Sequence, residues 1–380
     1  MQNGFAIITK LKWCYCPNFW KKISHGNGLN SGNQMKNKEA NSDEPVVFIV
    51  GNSRSGTTMM MRIMNNHSMV HSINEPHFFE KMWTPKDDGV PINSKVTFDV
   101  FAKLFTGQRA GFFEPVEKHV AKYKAEIEHL VAELGENPSR LSVYSAFLKY
   151  ETEVNGKSIP CEKTPQNVFY LREILEKFPK ARVINMVRDP RAVMLSQKRK
   201  WKRRALGADF MTKKETLRLQ INYHPLAVSK LWNAAISAAK PFASEPRVMT
   251  VRFEDILQKP DETVKAICQF ADFPFEQEML QVPHAGSSSE ADKKSELGIR
   301  KARAKGWLEK GLTKTEIQIC QKTCAELMKE YDYKPIEVNV NPLELAWKYF
   351  IFPFKMMFAL LINLNRMRSI GDTLKRRLFQ

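Results

Sequence analysis

Val46-Val47-Phe48-Ile49-Val50 runs directly into Gly51-Asn52-Ser53-Arg54-Ser55-Gly56-Thr57-Thr58. The apolar run reads as a strand ending at Val50, and Gly51 and Gly56 give the turn after it positive φ and close backbone approach. Thr57 then opens a helix whose free N–H groups point back at the turn, an arrangement that grips a phosphate. The spacing is close to G-x-x-x-x-G-K-[ST], where the lysine reaches the β and γ phosphates and the last hydroxyl holds magnesium. Thr57 stands at the lysine position, with Thr58 after it. The loop therefore keeps a cradle for one phosphate and lacks the group that manages a triphosphate with its metal. Arg54, inside the loop, is a fixed cation able to neutralise charge on a group attached to that phosphate.

Outward from this stretch, further short β-branched runs at 69–73, 157–161, 182–187 and 247–252 alternate with longer helical patterns. That alternation predicts a three-layer α/β, P-loop-like fold, a central parallel sheet flanked by helices. Charged and apolar residues mix at helical spacing over 116–134 and 213–240, so these segments are expected to cover the sheet or cap the site. Residues 1–44 form a polar leader with an aromatic patch at Trp13, Tyr15 and Trp20, expected to be loosely ordered. The predicted organisation is that leader, a domain over 45–336, and an apolar, basic extension over 337–380.

The chain has 380 residues, with 59 Lys+Arg against 41 Asp+Glu, and its formal charge of +18 predicts attraction to anions: nucleic acid, anionic lipid or a multiply phosphorylated ligand. Cys14, Cys16, Cys161, Cys268, Cys320 and Cys324 are scattered, as reduced thiols would be and a disulfide scaffold would not. Cys320 and Cys324 share a helix face, but no His or further Cys lies nearby in sequence to complete a metal site. The first apolar stretch, Phe5 to Ile8, is too short for a secretory signal, and nothing there reads as a Golgi-type anchor. The expected location is cytoplasmic, with peripheral membrane attachment. Residues 343–364, LELAWKYFIFPFKMMFALLINL, are interrupted by Lys348, Pro353 and Lys355 and followed by a basic tail. They suit an interfacial segment or a final helix packed on the domain, since both require an apolar face.

Several motifs together resemble the sulfotransferases that use 3′-phosphoadenosine 5′-phosphosulfate (PAPS). Arg54-Ser55-Gly56-Thr57-Thr58 is similar to their 5′-phosphosulfate loop, and Val183 to Arg191, ending Arg188-Asp189-Pro190-Arg191 and followed by Ser196, is similar to their 3′-phosphate turn. Arg188 would supply a charged fork and Ser196 a hydroxyl. Arg188 and Asp189 alone would be an inconsequential surface ion pair. The order of the two motifs along the chain argues for more. Phe253-Glu254-Asp255-Ile256-Leu257, with Pro260 and Thr263, resembles a further family segment. The stretch from Arg300 through Lys305, Gly306 and Trp307 resembles the basic element that closes over the nucleotide, so the likeness spans about 45–335.

The resemblance implies transfer of a sulfuryl group from PAPS to a hydroxyl by single in-line displacement, without a metal. Glu75 matches the family's general base, and Lys163, in Glu162-Lys163-Thr164-Pro165, matches a lysine presented to the moving group. Arg54 and Lys163 would carry developing charge, while Ser55, Gly56, Thr57 and Thr58 hold the 5′-phosphate. The alternative for Glu75 is a strand-end carboxylate balancing nearby cations, and Glu162 is a rival base. His67 and His71 fit structural positions. The apolar aromatic C-terminus points to a lipophilic alcohol, a lipid or sterol, as acceptor, with a glycan hydroxyl second. A P-loop kinase lacks its lysine here. A basic membrane-binding or nucleic-acid-binding protein would explain residues 197–204, QKRKWKRR, but this run continues from the 3′-phosphate helix and reads as a basic rim of the cleft. Nucleic acid is not an expected partner.

Overall fold

The computed structural model describes residues 44–111, 114–206, 211–288, 291–300, 307, 311–364 and 371. The leader's aromatic patch, Cys14, Cys16, Lys305, Gly306 and the basic tail after residue 364 lie outside the described residues.

In chain order the main elements are β1 (Val46–Gly51), α1 (Thr57–Asn65), β2 (Val70–Asn74), α2 (Phe78–Lys81), α3 (Ser94–Arg109), α4 (Val116–Leu134), α5 (Arg140–Val154) and β3 (Ile159–Lys163). They continue with α6 (Leu171–Lys177), β4 (Ala181–Val187), α7 (Pro190–Lys198), α8 (Lys213–Asn222), α9 (Pro225–Ala239), β5 (Val248–Arg252), α10 (Phe253–Gln258) and α11 (Pro260–Ala271). The last are a hairpin of β6 (Pro283–His284) and β7 (Lys293–Leu297), then α12 (Lys314–Glu330) and α13 (Pro342–Asn363). A turn of 3-10 helix, Lys200–Leu206, separates α7 from α8.

Five parallel strands form the sheet in the order β2-β3-β1-β4-β5. β1 is central and every residue in it is buried, which is why its sequence is an unbroken apolar run instead of an alternating one. Side chains still alternate between faces. Val46, Phe48 and Val50 pack with α3, α4 and α5, whereas Val47 and Ile49 pack with α1, α10 and α11. Two apolar layers against one sheet give the three-layer architecture expected from the sequence.

β3 begins two residues later than its apolar run suggests. Lys157 does not join a strand: its ammonium donates to the carbonyls of Asn65, His67 and Val70, tying the β3 entrance to the α1–β2 turn. The helical stretch over 213–240 is two helices. Pro225 brings no N–H to the start of α9, and the His224 side chain accepts from Leu226 N there, so the chain breaks between α8 and α9.

The close approach of β1 and β4 explains Gly51. It has φ 132°, and a Cβ added to it would stand 2.3 Å from the Met186 carbonyl oxygen. Gly51→Ala is expected to cost at least about 3 kcal/mol, combining backbone strain with overpacking against immovable main chain. A urea midpoint equal to wild type would show that the two strands can separate at no cost.

Candidate active site

The candidate groups sit at the carboxyl ends of adjacent strands, where open α/β sheets place their ligands. β1 leads into the Gly51–Gly56 turn, β2 into Glu75, β4 into Arg188 and β5 into Phe253, while Lys163 is the last residue of β3. Because β1 continues by crossing to β2 while β4 lies on its other side, the loops after β1 and β4 diverge around a crevice.

The turn after β1 is shaped by close contact. Gly56, at φ 95°, caps α1, and a Cβ there would lie 2.2 Å from the Phe253 ring. α1 has no acidic residue in its first turn, leaving the positive end of its dipole unopposed. The Ser55 hydroxyl is buried and has no hydrogen-bond partner among the described residues. A buried hydroxyl left without a partner, next to a helix N-terminus, fits a phosphate oxygen. Thr57 is buried and Thr58 half-buried.

Arg54, itself at φ 75°, reaches across the crevice. Its Nε donates to Ser196 Oγ at 2.9 Å, and its Nη2 donates to Ser288 Oγ at 2.7 Å and the Gly286 carbonyl at 3.2 Å. Arg188 lies over the Phe253 ring at 4.3 Å and donates to the Arg54 carbonyl at 3.2 Å. Ser196 is thus held by the loop arginine, not by Arg188, so the proposed 5′- and 3′-phosphate groups touch each other. Burial, followed by the charges of Arg188 and Arg203, pushes the Arg54 guanidinium down to about 10. Cations crowded to this degree favour an anion among them.

Asp189 does not pair with Arg188. It caps α7 and takes both Nε and Nη2 of Arg191 in a buried pair, and Arg191 also donates to Gln321 and the Lys334 carbonyl. The Arg191 guanidinium lies 4.0 Å over Trp307, which packs with Ala192, Leu195 and Ile317 against α7. Trp307 therefore buttresses the helix that carries Ser196, and Arg300 pairs with Glu296 of β7. From the basic run, Lys200 has its ammonium pushed down by burial and by Arg54 nearby, and Arg203 pairs with Asp292 at 2.8 Å. Lys198 turns to Glu316 at 2.7 Å.

Beside this cluster Lys163 Nζ meets Glu75 Oε1 at 2.5 Å, and Glu75 N donates to the Lys163 carbonyl at 2.8 Å. His77 Nε2 stands 3.6 Å from the other Glu75 oxygen, and His77 Nδ1 is 2.9 Å from Glu80. Glu75 and His77 both have positive φ, 53° and 51°, uncommon for residues with a Cβ and costly unless the surroundings enforce it. Burial alone would raise the Glu75 carboxyl, but hydrogen bonds and charge from His77 and Lys163 outweigh it and hold the group well below the usual carboxylate range. Burial would lower His77, yet Glu75 and Glu80 raise it to about 9.

Glu162 faces the opposite side of β3. It is fully buried, bonded to Thr164 and to Asn167 at 2.8 Å, and burial raises its carboxyl to about 7. His67 is buried against the Pro274 carbonyl and Met69 N, and burial lowers His71 to about 4. Cys320 and Cys324 are free thiols in the core between α12 and α9. No motif in the sequence singles out His77, although Glu75-Pro76-His77-Phe78-Phe79-Glu80 sets a histidine between two acids. The buried pairing of Arg191 with Asp189 and the contact of the 286–288 segment with Arg54 arise only through the tertiary fold.

The sequence profile of the sulfotransferase family matches residues 45–277, from the start of β1 through α11. The chain belongs to that family. Its relatives include a putative protein-tyrosine sulfotransferase of Caenorhabditis briggsae, 26% identical over 243 residues, which are 62% of this chain and 69% of that protein. The protein-tyrosine sulfotransferase of Drosophila melanogaster is 23% identical over 271 residues, 68% of this chain and 46% of that protein. The chain thus spans less than half the length of the fly relative. Among solved structures, the sulfotransferase domain from the curacin biosynthetic pathway aligns with a TM-score of 0.48 and 19% identity, covering 77% of this chain and 99% of that domain.

Proposed function

We propose that the protein moves a sulfuryl group from PAPS to a hydroxyl acceptor. The observation that carries this reading is that Arg54, in the turn running on to Ser55–Thr58, bonds both Ser196 through its side chain and Arg188 through its carbonyl, beside the Glu75–Lys163 pair. Ser55, Gly56, Thr57 and Thr58 hold the 5′-phosphate, and Arg188 and Ser196 the 3′-phosphate. The donor supplies an activated sulfur and a good leaving group, so the protein's task is positioning and electrostatics. Glu75 takes the acceptor's proton as the acceptor oxygen bonds to sulfur, and the electron pair of the breaking S–O bond stays on the 5′-phosphate. Arg54 and Lys163 face the charge that develops.

Lys163 has a second consequence. While it pairs with Glu75 it keeps the carboxylate a weak base, and a sulfuryl oxygen that draws the ammonium away makes Glu75 more basic as transfer begins. Base strength is thereby tied to donor occupancy.

For the acceptor, a lipophilic alcohol is the first reading, supported by the apolar outer face of α13, with a glycan hydroxyl behind it. A tyrosyl phenol is a second reading, supported by the relatives named as protein-tyrosine sulfotransferases. The low basicity of Glu75 also supports it, because a phenol, with pKa about 10, gives up its proton far more readily than an alcohol.

Calorimetry with adenosine 3′,5′-bisphosphate against ATP tests the donor site: the bisphosphate is expected to bind tightly and ATP weakly. Preference for ATP with magnesium would replace this reading with a kinase. Transfer of labelled sulfuryl groups to a membrane alcohol, a glycan and a tyrosyl peptide then ranks the acceptors. EDTA is expected to leave that transfer unchanged, and loss of turnover restored by magnesium would reveal a metal-dependent step.

A further inference from the structure

The C-terminal helix α13 has two faces of different character. Its inner face docks on the domain: Met356 and Ala359 pack on Ala227, and Phe352 lies 5.0 Å from the His224 ring. Buried Asn363 bonds to Asn222 at 2.8 Å and accepts from Arg218 at 2.5 Å. The outer face carries Leu343, Trp347, Phe350, Phe354, Met357, Phe358, Leu361 and Leu364, each between 40% and 79% exposed. Their spacing repeats along one side of all 22 residues, a ridge about 33 Å long. Along it Trp347 stacks on Phe350 at 5.7 Å, and Phe350 meets Phe354 at a tilt, 5.5 Å away. An unbroken apolar ridge of this size on a soluble surface marks an interaction site.

We propose that this ridge seats the protein on an anionic lipid bilayer, with α13 lying in the plane of the interface. The helix is long and apolar enough to cross a membrane. Its inner face argues for the interface instead, because the hydrogen bonds of Asn363 and the contacts with α8 and α9 hold it on the domain. The charges decide the occupant. The only acid on the helix is Glu344, in its first turn, Lys348 and Lys355 lie on its half-buried side, and Arg366, Arg368, Lys375, Arg376 and Arg377 follow in the chain. Lys348 and Lys355 beside an aromatic ridge match anionic headgroups over an apolar layer, and the sequence after residue 364 adds five cations against one acid, Asp372. Two copies meeting ridge to ridge would instead oppose like charges. The anchor is joined to the cleft through α8, which packs against both α13 and the Lys200–Leu206 turn.

Sedimentation of the full chain with phosphatidylcholine vesicles, with and without phosphatidylserine, tests this. The wild type is expected to pellet with the anionic vesicles and to be released as salt rises. Combined Trp347→Glu, Phe354→Glu and Leu361→Glu, all exposed, is expected to lower the partition coefficient roughly a hundredfold or more at an unchanged melting temperature. Wild-type protein left in the supernatant, or a variant that pellets equally, overturns the proposal. So does a wild-type dimer that the variant converts to a monomer, which would give the ridge to a second copy. Resistance to alkaline carbonate extraction also overturns it, because a spanning helix stays and an interfacial one is released.

Discussion

Glu75→Gln is expected to lower turnover about a thousandfold while leaving affinity for adenosine 3′,5′-bisphosphate near wild type. General-base catalysis contributes about 10²–10⁴-fold, and no hydrogen bond of Glu75 reaches the Ser55 turn or Arg188. The substitution also removes the carboxylate from Lys163, which is 2% exposed, so some stability is lost with the rate. Bisphosphate binding separates the two effects, since an unfolded variant binds nothing. A variant that turns over within a few-fold of wild type would leave Glu75 as a strand-end counterion. His77 sets the alkaline limit of the same cluster. Its folded value is raised, so the stability it adds is whole below its ordinary 6.5 and disappears as pH climbs through about 9. For Glu75 the value is lowered, so its contribution is whole above the ordinary carboxylate value and disappears only on acidification. Melting temperature is therefore expected to decline between pH 6.5 and 9, and His77→Gln to flatten that limb. A wild-type melting temperature constant across that range would mean that His77 is not held protonated.

The parts of the fold legible in the sequence are those where a local rule and the tertiary environment agree. β1 announces itself because a strand buried on both faces needs apolar residues at every position, and Gly51 and Gly56 stand where the turn leaves no room for a Cβ. The limits of α4 coincide with its pattern because Pro115 precedes it and Gly135 follows it. Less legible were features fixed by partners distant in sequence. Lys157 looks like the edge of a strand until the three carbonyls it ties together are seen, and the stacking of Arg191 over Trp307 joins residues more than a hundred positions apart. His77 was missed because its importance comes from a backbone bend that aims it at Glu75, which no spacing rule encodes. The C-terminal helix was open to two readings, and its two faces explain why: the packed side and the apolar outer side were superimposed in one sequence.

Arg188→Ala is expected to weaken binding of adenosine 3′,5′-bisphosphate about 10- to 150-fold, the equivalent of about 1.5–3 kcal/mol for a charged hydrogen bond. It is expected to do so with a smaller loss of stability, because opposing forces act on this side chain in the free protein, attraction to the buried Glu254 carboxylate among the favourable ones. Its position over Phe253 and its bond to the Arg54 carbonyl stabilise the fold, each by about 1 kcal/mol or less. Against them stands repulsion from Arg54, whose guanidinium is held down near 10 by burial and by Arg188 and Arg203. Removing Arg188 relieves that repulsion, so the melting temperature is expected to move far less than the affinity. Binding by the variant is also expected to depend less steeply on salt, since one fewer cation takes part. Affinity equal to wild type would place the bisphosphate outside the Arg54–Arg188 crevice. A large fall in melting temperature with proportionate loss of binding would make Arg188 a structural clamp and not an anion ligand. The strain of assembling like charges is tolerable in the free protein because Phe253, Ser196 and the 286–288 segment hold the arginines from the sides, and the ligand then finds its counter-charges already in place.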